Sequence, residues 1–419
     1  MAGAGTSEQQ TESAYAWYRL AASLALMTLG CAGMYSVAVV LPAVQAEFAV
    51  ARGDASLPYT MTMVGFGIGG VLMGRITDRF GVMVTILVGA LGIGTGFVAA
   101  GHAASLWQFS LASGVLIGLL GASASFAPLV ADTSMWFTRR RGIAVAICTS
   151  GMFLSGALWP PLVQHFVQSA GWRDTYIGVG IACVVAMLPL SLMLARRPPQ
   201  APAPVTNQAA GGLTGGERPL GMAPATLLIL LSVAGLACCV AMGMPQVHIV
   251  AYCSDLGFGA ARGAEMLSLM LVCGIASRLF FGALSDRIGG LRTLLTGSVL
   301  QCIGLLLFLP FDGLASLYVV SAFFGLSQGG IIPAYALIVR EYFATAEVGA
   351  RVGTVLMATL SGMALGGWLS GAIFDWTGSY RAAFYNGIAW NLVNIVIVAM
   401  LLLRANAAVQ ALHKGARAA

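Results

Sequence analysis

Twelve stretches of this chain are apolar enough, and long enough at about 20 residues each, to cross a lipid bilayer as helices. They fall near residues 20–44, 57–74, 82–101, 106–131, 142–166, 176–195, 224–250, 264–283, 293–310, 315–338, 352–374 and 383–404. Such a pattern leaves too little polar surface to cover a soluble globule. Only 9% of the 419 residues are charged, where soluble domains carry about 25%. The sequence therefore predicts an all-α membrane protein of twelve transmembrane helices. The opening stretch, MAGAGTSEQQTESAYAWYRL, has no basic segment leading into a short apolar core. It is expected to be a tail (1–19), not a secretory signal.

The longest polar connector, ARRPPQAPAPVTNQAAGGLTGGERPLG, separates the sixth apolar run from the seventh. Its Pro, Gly and Ala content predicts a flexible linker (196–222) between two six-helix bundles, 20–195 and 223–404, with a second tail at 405–419. Basic residues set the orientation. If the N-terminus is inside, sixteen of the 21 Lys and Arg residues lie on that side, and four (Arg52, Arg173, Arg262, Arg381) lie on the other. The imbalance is expected to place both termini in the cytoplasm. It also accounts for a net charge of +6 without a nucleic-acid partner. The one basic residue outside both groups is Arg278.

The two bundles repeat. GRITDRFG begins at Gly74 and GALSDRIG at Gly282, an offset of 208 residues, and the same offset carries Trp172–Arg173 onto Tyr380–Arg381. Duplicated halves of this kind are a transporter signature. In the shared G-x-x-x-D-R-x-G pattern, the glycines permit a tight turn and close helix approach. Gly74, Asp78 and Arg79, with Gly282, Asp286 and Arg287, are expected to form a charge latch that closes the cytoplasmic gate and breaks on switching. The competing reading is that these charges only fix topology.

The architecture and these loops resemble the major facilitator superfamily over essentially the whole chain. Three segments are similar to the monocarboxylate transporters and the bacterial oxalate–formate antiporters: MWFTRRRGIAVAICTSG (135–151), PQVHIVAYCSDLGF (245–258) and FDWTGSYRAAF (374–384). The resemblance implies a secondary carrier in a bacterial inner membrane for a small organic monocarboxylate, of the lactate or pyruvate kind, coupled to protons.

Within GIASRLFFGALSDRIGG, Arg278 lies eight residues before Asp286, roughly 12 Å up the helix. The hydrocarbon half-thickness is about 15 Å, and a central arginine costs about 2.5–3.5 kcal/mol on insertion scales. Arg278 therefore needs an acceptor or a wet cavity. Gly274 and Gly282, one turn away on either side, are expected to leave room for a ligand. Gly70 stands at the equivalent place in the first half, so the repeat itself does not require a cation. A planar guanidinium fork suits a carboxylate, and in monocarboxylate transporters an arginine at this place in helix 8 binds the substrate carboxylate. The alternative is a structural arginine paired with Asp132 or Glu265. Animal monocarboxylate transporters carry an aspartate where this chain has Gly274, and the oxalate–formate antiporter uses a lysine in helix 11. Residues 352–374 contain no lysine or arginine, which favours a monoanion over a dicarboxylate.

Other candidates carry two readings each. Tyr35 and Tyr335 are mid-helix phenols that donate either to substrate or within the packing. Asn391 and Asn394 share a helix face and either bind ligand or bridge helices. Asp132 carries a proton if it faces the cavity, or else pairs with the TRRRG cluster. His248 and His165 titrate in a useful range but lie near outer helix ends, where helix-end hydrogen bonding competes with a proton-coupling role. Seven of the eight cysteines sit in apolar runs without metal spacing, as packing residues. There is no catalytic carboxylate pair, no nucleophile triad and no phosphate-binding G-x-x-x-x-G-K. The only lysine is Lys414. An enzyme is not expected, nor a cofactor or metal. The expected partners are an organic anion, protons and membrane lipid, with the protein a monomer. A larger nutrient such as a vitamin or aromatic compound, an anion exchanger, and a non-transporting sensor are the alternatives. The short tails leave no room for the signalling domain that a sensor needs.

Overall fold

The computed structural model describes residues 12–137, 139–196, 219–343 and 347–418. Most of the expected linker and residues 1–11 of the expected N-terminal tail lie outside them. Twelve helices are long and apolar enough to span a membrane: α1 (Ala14–Phe48), α2 (Arg52–Phe80), α3 (Val82–Gly101), α4 (Leu106–Trp136), α5 (Arg141–Ala170), α6 (Trp172–Leu192), α7 (Pro224–Asp255), α8 (Ala260–Ile288), α9 (Gly290–Leu307), α10 (Leu314–Tyr342), α11 (Val348–Thr377) and α12 (Tyr380–Ala407). No strand occurs among the described residues. In lipid, every backbone polar group must bond within its own segment, and helices meet that demand.

Two boundaries differ from the expectation. The first helix starts at Ala14, behind the cap residue Ser13, so Arg19 is a buried helical residue and not part of a tail. Tyr15, Trp17 and Tyr18 dilute the hydropathy of a helix that has already begun. At the other end, helix continues to Ala418, through residues placed in the second tail.

The six-helix halves pack by one scheme used twice. In the first half α1 packs on α5, α2 on α4 and α3 on α6; in the second, α7 packs on α11, α8 on α10 and α9 on α12. Between halves, α2 meets α11, α5 meets α8 and α1 meets α7. Twelve crossings put the first and last helix ends on one side, called here the terminal face; the other side is the distal face. Gly81 and Gly289, which close the two G-x-x-x-D-R-x-G motifs, have φ of +89° and +81°, where a side chain would be strained.

Small residues allow backbone-to-backbone contact inside each half. A Cβ on Gly65 of α2 would lie 2.0 Å from the Gly114 carbonyl oxygen of α4. Near this contact α4 widens into a π-helical stretch, Ala112–Ala122, and then breaks before Ala127. Its counterpart α10 breaks between Gln328 and Ile331. Wide or broken turns of this type mark functional regions in membrane carriers.

The apolar core shows how the halves join. One buried cluster runs through the whole first half and into the distal parts of α7 to α10 and α12, through Val250, Leu267, Phe308, Phe324 and Phe384. Toward the terminal face the second half has its own cluster, with Leu227, Leu294, Ile338, Val355 and Leu401. The hydrogen bonds that cross between halves, among the described residues, lie at or beyond mid-helix toward the distal face, from Ser268 to the Ala157 carbonyl and from Thr60 to the Ala364 carbonyl. The hydrogen bonds and the core that the halves share thus lie toward the distal face.

Gly65→Val will lower the melting temperature of the purified protein, because the new side chain meets backbone that cannot turn aside; overpacking of this type costs about 1–3 kcal/mol. Gly178→Val, at an exposed glycine with nothing within 4 Å of its Cβ position, will melt close to wild type. Equal melting of the two variants would show that the α2–α4 contact is not needed.

Candidate functional site

Arg278 sits ten residues before the terminal end of α8, about 15 Å along the axis. It is half-buried. Among the described residues it forms no hydrogen bond and no ion pair. Its guanidinium carbon lies 5.2 Å from the centroid of the Phe153 ring, on α5 of the other half. The Tyr35 phenol of α1 is near enough to feel its charge. A Cβ on Gly156 of α5 would touch both the Tyr35 ring, at 2.8 Å, and Leu271 of α8, at 2.1 Å. Tyr35, Phe153 and Arg278 therefore converge where the two halves meet.

The internal acids considered as partners for Arg278 are engaged elsewhere. Asp132 accepts from Arg19 Nε and Nη2, each at 2.8 Å, with both side chains 2% exposed. Arg19 also lies over the Trp136 ring. Glu265 pairs with Arg262 at 2.9 Å and with the Tyr318 hydroxyl. What Arg278 has instead of a counter-ion is a ring face, a cation–π contact worth about 0.5–1 kcal/mol at exposed sites and about 2 kcal/mol or more when desolvated.

The glycines around Arg278 behave differently from each other. Gly282 has nothing within 4 Å of its Cβ position, but a Cβ on Gly274 would lie 2.7 Å from two Phe153 ring carbons. Gly274 is thus not open space. It is small because Phe153 rests on it, and an aspartate there would displace the ring that lies against Arg278.

At the distal face the halves are locked together by a network not foreseen from the sequence. The Arg52 side chain, at the start of α2, holds the Asp255 carboxylate at the end of α7 through both terminal nitrogens. It also donates to the Tyr380 hydroxyl at 3.2 Å and to Gln45 at 3.0 Å, and its guanidinium carbon is 4.2 Å from the Phe374 ring centroid. Asp375, at the end of α11, accepts from the Arg52 and Gly53 amides at 2.8 and 2.7 Å, the free N–H groups of a helix start. His248 completes the seal: Nε2 is 2.7 Å from the Gly367 carbonyl, and Nδ1 is 3.0 Å from the Tyr380 hydroxyl. A carbonyl only accepts, so Nε2 carries the proton and Nδ1 accepts from tyrosine. The 208-residue offset relates this arrangement to one in the first half, where Glu47 is held by Trp172 and Arg173. Glu47 stays within its own half, whereas its counterpart Asp255 reaches across to Arg52.

The remaining candidates separate by location. Tyr335 donates to Asn394 at 2.9 Å, and Asn394 and Asn391 donate to the hydroxyl and carbonyl of Ser298. This buried network ties α9, α10 and α12 within the second half, apart from Arg278. Asp132 is bound to Arg19 and not to the TRRRG cluster, and His248 belongs to the distal seal. At the terminal face Asp78, Arg79, Asp286 and Arg287 are exposed. None of them forms an ion pair among the described residues; Arg79 lies over the Phe80 ring.

The family model described as Major Facilitator Superfamily matches residues 22–277 and 231–418. The chain is 27% identical over 338 residues to monocarboxylate transporter 13 of Bos taurus, covering 79% of this chain and 75% of the relative. It is 28% identical over 341 residues to the MFS-type transporter YcxA of Bacillus subtilis, covering 78% and 81%. Among solved structures, it superposes on a D-xylose–proton symporter with a TM-score of 0.73, at 13% identity over 93% of this chain and 97% of the other. It also superposes on a bacterial homologue of the human lysosomal transporter Spinster, in an inward-facing, unoccupied conformation, with a TM-score of 0.72, at 15% identity over 94% and 98%.

The distal network makes a direct prediction. Hydrogen bonds to charged groups are each worth about 1.5–3 kcal/mol, so Arg52→Ala or Asp375→Ala will shift the balance between distally closed and open forms by roughly tenfold or more. Spin labels on Ala51→Cys and Thr377→Cys will report longer separations in these variants than in the unsubstituted background. Unchanged distance distributions in both variants would remove the network from the account of closure.

Proposed function

The chain belongs to the major facilitator superfamily of transporters, and we propose that it carries small organic monocarboxylates by alternating access, with Arg278 as the site of the substrate carboxylate. The observation that carries this reading is the free guanidinium at the meeting line of the halves. A monocarboxylate supplies the missing charge and two acceptor oxygens in the geometry that a guanidinium fork prefers. Tyr35 offers a phenol for a further hydrogen bond, and Phe153 provides an apolar wall.

In the proposed cycle the terminal face is cytoplasmic, as the distribution of basic residues favours, and the conformation described here is open inward. The seal of Arg52, Asp255, Asp375, Tyr380 and His248 is the outer gate. The Gly74–Asp78–Arg79 and Gly282–Asp286–Arg287 motifs are the inner latch, disengaged in this state. A bare cation resists enclosure in a dry cavity, whereas an Arg278–carboxylate pair is neutral, so the loaded carrier switches more readily than the empty one. Arg278 has no acid paired with it among the described residues, which also favours a second mode, exchange of one anion for another, in which the site need not return empty. Proton coupling is assigned to Asp132, the one carboxylate buried to this degree among the described residues; its protonation would release Arg19.

Uptake of labelled carboxylates into proteoliposomes tests the site. Arg278→Gln will abolish uptake, and Arg278→Lys will reduce it at least about tenfold, since an ammonium lacks the planar fork. Undiminished uptake in both variants would sink the assignment. An acid-outside pH gradient will drive accumulation in wild type. Asp132→Asn will retain counterflow exchange but lose that accumulation; a variant that still concentrates substrate against its gradient would release Asp132 from the role.

A further inference from the structure

At the break in α10 lies a polar pair that the carboxylate site does not use. Gln328 is the last residue before the break. Its Oε1 accepts from Gln246 Nε2 of α7 at 2.7 Å, and Gln246 follows Pro245, a proline inside its helix. Gln328 is 3% exposed, yet its Nε2 has no partner. Gln246 is half-buried, and its Oε1 has no partner among the described residues. Two amides joined by one hydrogen bond retain one donor group and one acceptor, whichever way both are turned. Buried amide nitrogens are rarely left unpaired, so a free donor beside a free acceptor, at a helix break in a carrier, marks a place for a ligand group.

This pair lies close to Arg278. The next residue, Gly329, donates its amide N–H to Ser277 Oγ at 3.1 Å. A Cβ on Gly329 would lie 2.7 Å from the Arg278 backbone nitrogen. Since consecutive Cα atoms are 3.8 Å apart, the Gln328 Cα is within about 8 Å of the Arg278 backbone, a span that a small substrate bridges with the help of two long side chains.

We propose that Gln246 and Gln328 form a second subsite that recognises a hydroxyl group on the substrate a few atoms from its carboxylate. A hydroxyl donates to the free amide oxygen and accepts from the free amide nitrogen, satisfying both at once. A substrate without it leaves Gln328 Nε2 unpaired, and such sites discriminate strongly against the analogue that lacks the polar group. This inference rests on the assignment of Arg278 to the carboxylate, and it narrows the cargo to hydroxylated acids.

The test is equilibrium binding of butanoate and of 2-, 3- and 4-hydroxybutanoate to the purified full chain. In wild type at least one hydroxybutanoate will bind at least about tenfold tighter than butanoate. Gln328→Met and Gln246→Met, which keep the side-chain length, will each bring that ratio to within about twofold. Arg278→Gln will abolish binding of all four acids. A wild type that gains nothing from any hydroxyl, or a ratio that survives in both methionine variants, would overturn the subsite; butanoate binding that still depends on Arg278 would then leave the carboxylate assignment standing. Failure of all four acids to bind wild type would overturn both. If either methionine variant does not purify in folded form, the wild-type series decides.

Discussion

A guanidinium at depth in a membrane protein must find a counter-charge, a ring face or water, because lipid offers it none of these. Arg278 has a ring face, Phe153, from α5 of the other half. Its surroundings follow from this. Gly274 is small so that Phe153 fits. Ser277, beside Arg278, bonds the Leu326 carbonyl and the Gly329 amide and so fastens α8 to the break in α10. Meanwhile Asp132 and Glu265, which would have quenched the charge, are bound to Arg19 and Arg262. Among the described residues Arg278 is thus left without a counter-ion, while the buried charges Arg19, Asp132 and Arg52 are paired.

The distal network supplies the complementary constraint. Carriers that alternate must hold one end closed with contacts that break without leaving isolated charges in lipid. Arg52 and its acceptors lie at helix ends, where water can take over their hydrogen bonds once the halves part. Asp375 gains from its place at the start of a helix, where two free amides point at it. Gly53 and Gly371 bring the backbones of α2 and α11 together here: a Cβ on Gly371 would be 2.8 Å from the Gly53 Cα. The seal is therefore both a charge lock and a close backbone contact.

Much of this was legible in the amino-acid pattern, because membrane insertion imposes run length and the gene's internal repeat leaves a fixed offset. The twelve helices, the two halves and the isolation of Arg278 belong to that class. The distal seal was hidden because each member looks like an ordinary helix-end residue. Its pairs span 203 residues for Arg52 and Asp255 and 323 for Arg52 and Asp375. Two of its acids did sit inside segments noted for their family resemblance, Asp255 in PQVHIVAYCSDLGF and Asp375 in FDWTGSYRAAF. Arg19 was misplaced because its aromatic neighbours dilute hydropathy at the helix start. Tyr335 and Asn391 showed the right chemistry for a binding site, but helix face alone could not reveal that Ser298 and Asn394 had already engaged them.

The central claim is a contact between the substrate carboxylate and one guanidinium, and solid-state NMR measures such a contact without relying on transport. Protein with ¹⁵N-labelled arginine side chains is reconstituted with a carboxylate labelled with ¹³C at its carboxyl carbon, and the dipolar coupling between them is recorded. The account predicts dephasing from one arginine at a carbon–nitrogen separation of about 3.5–4 Å, as a bidentate pair requires, and its disappearance in Arg278→Lys at a ligand concentration that keeps the site filled. Dephasing that persists in Arg278→Lys would place the carboxylate on another arginine and contradict the account.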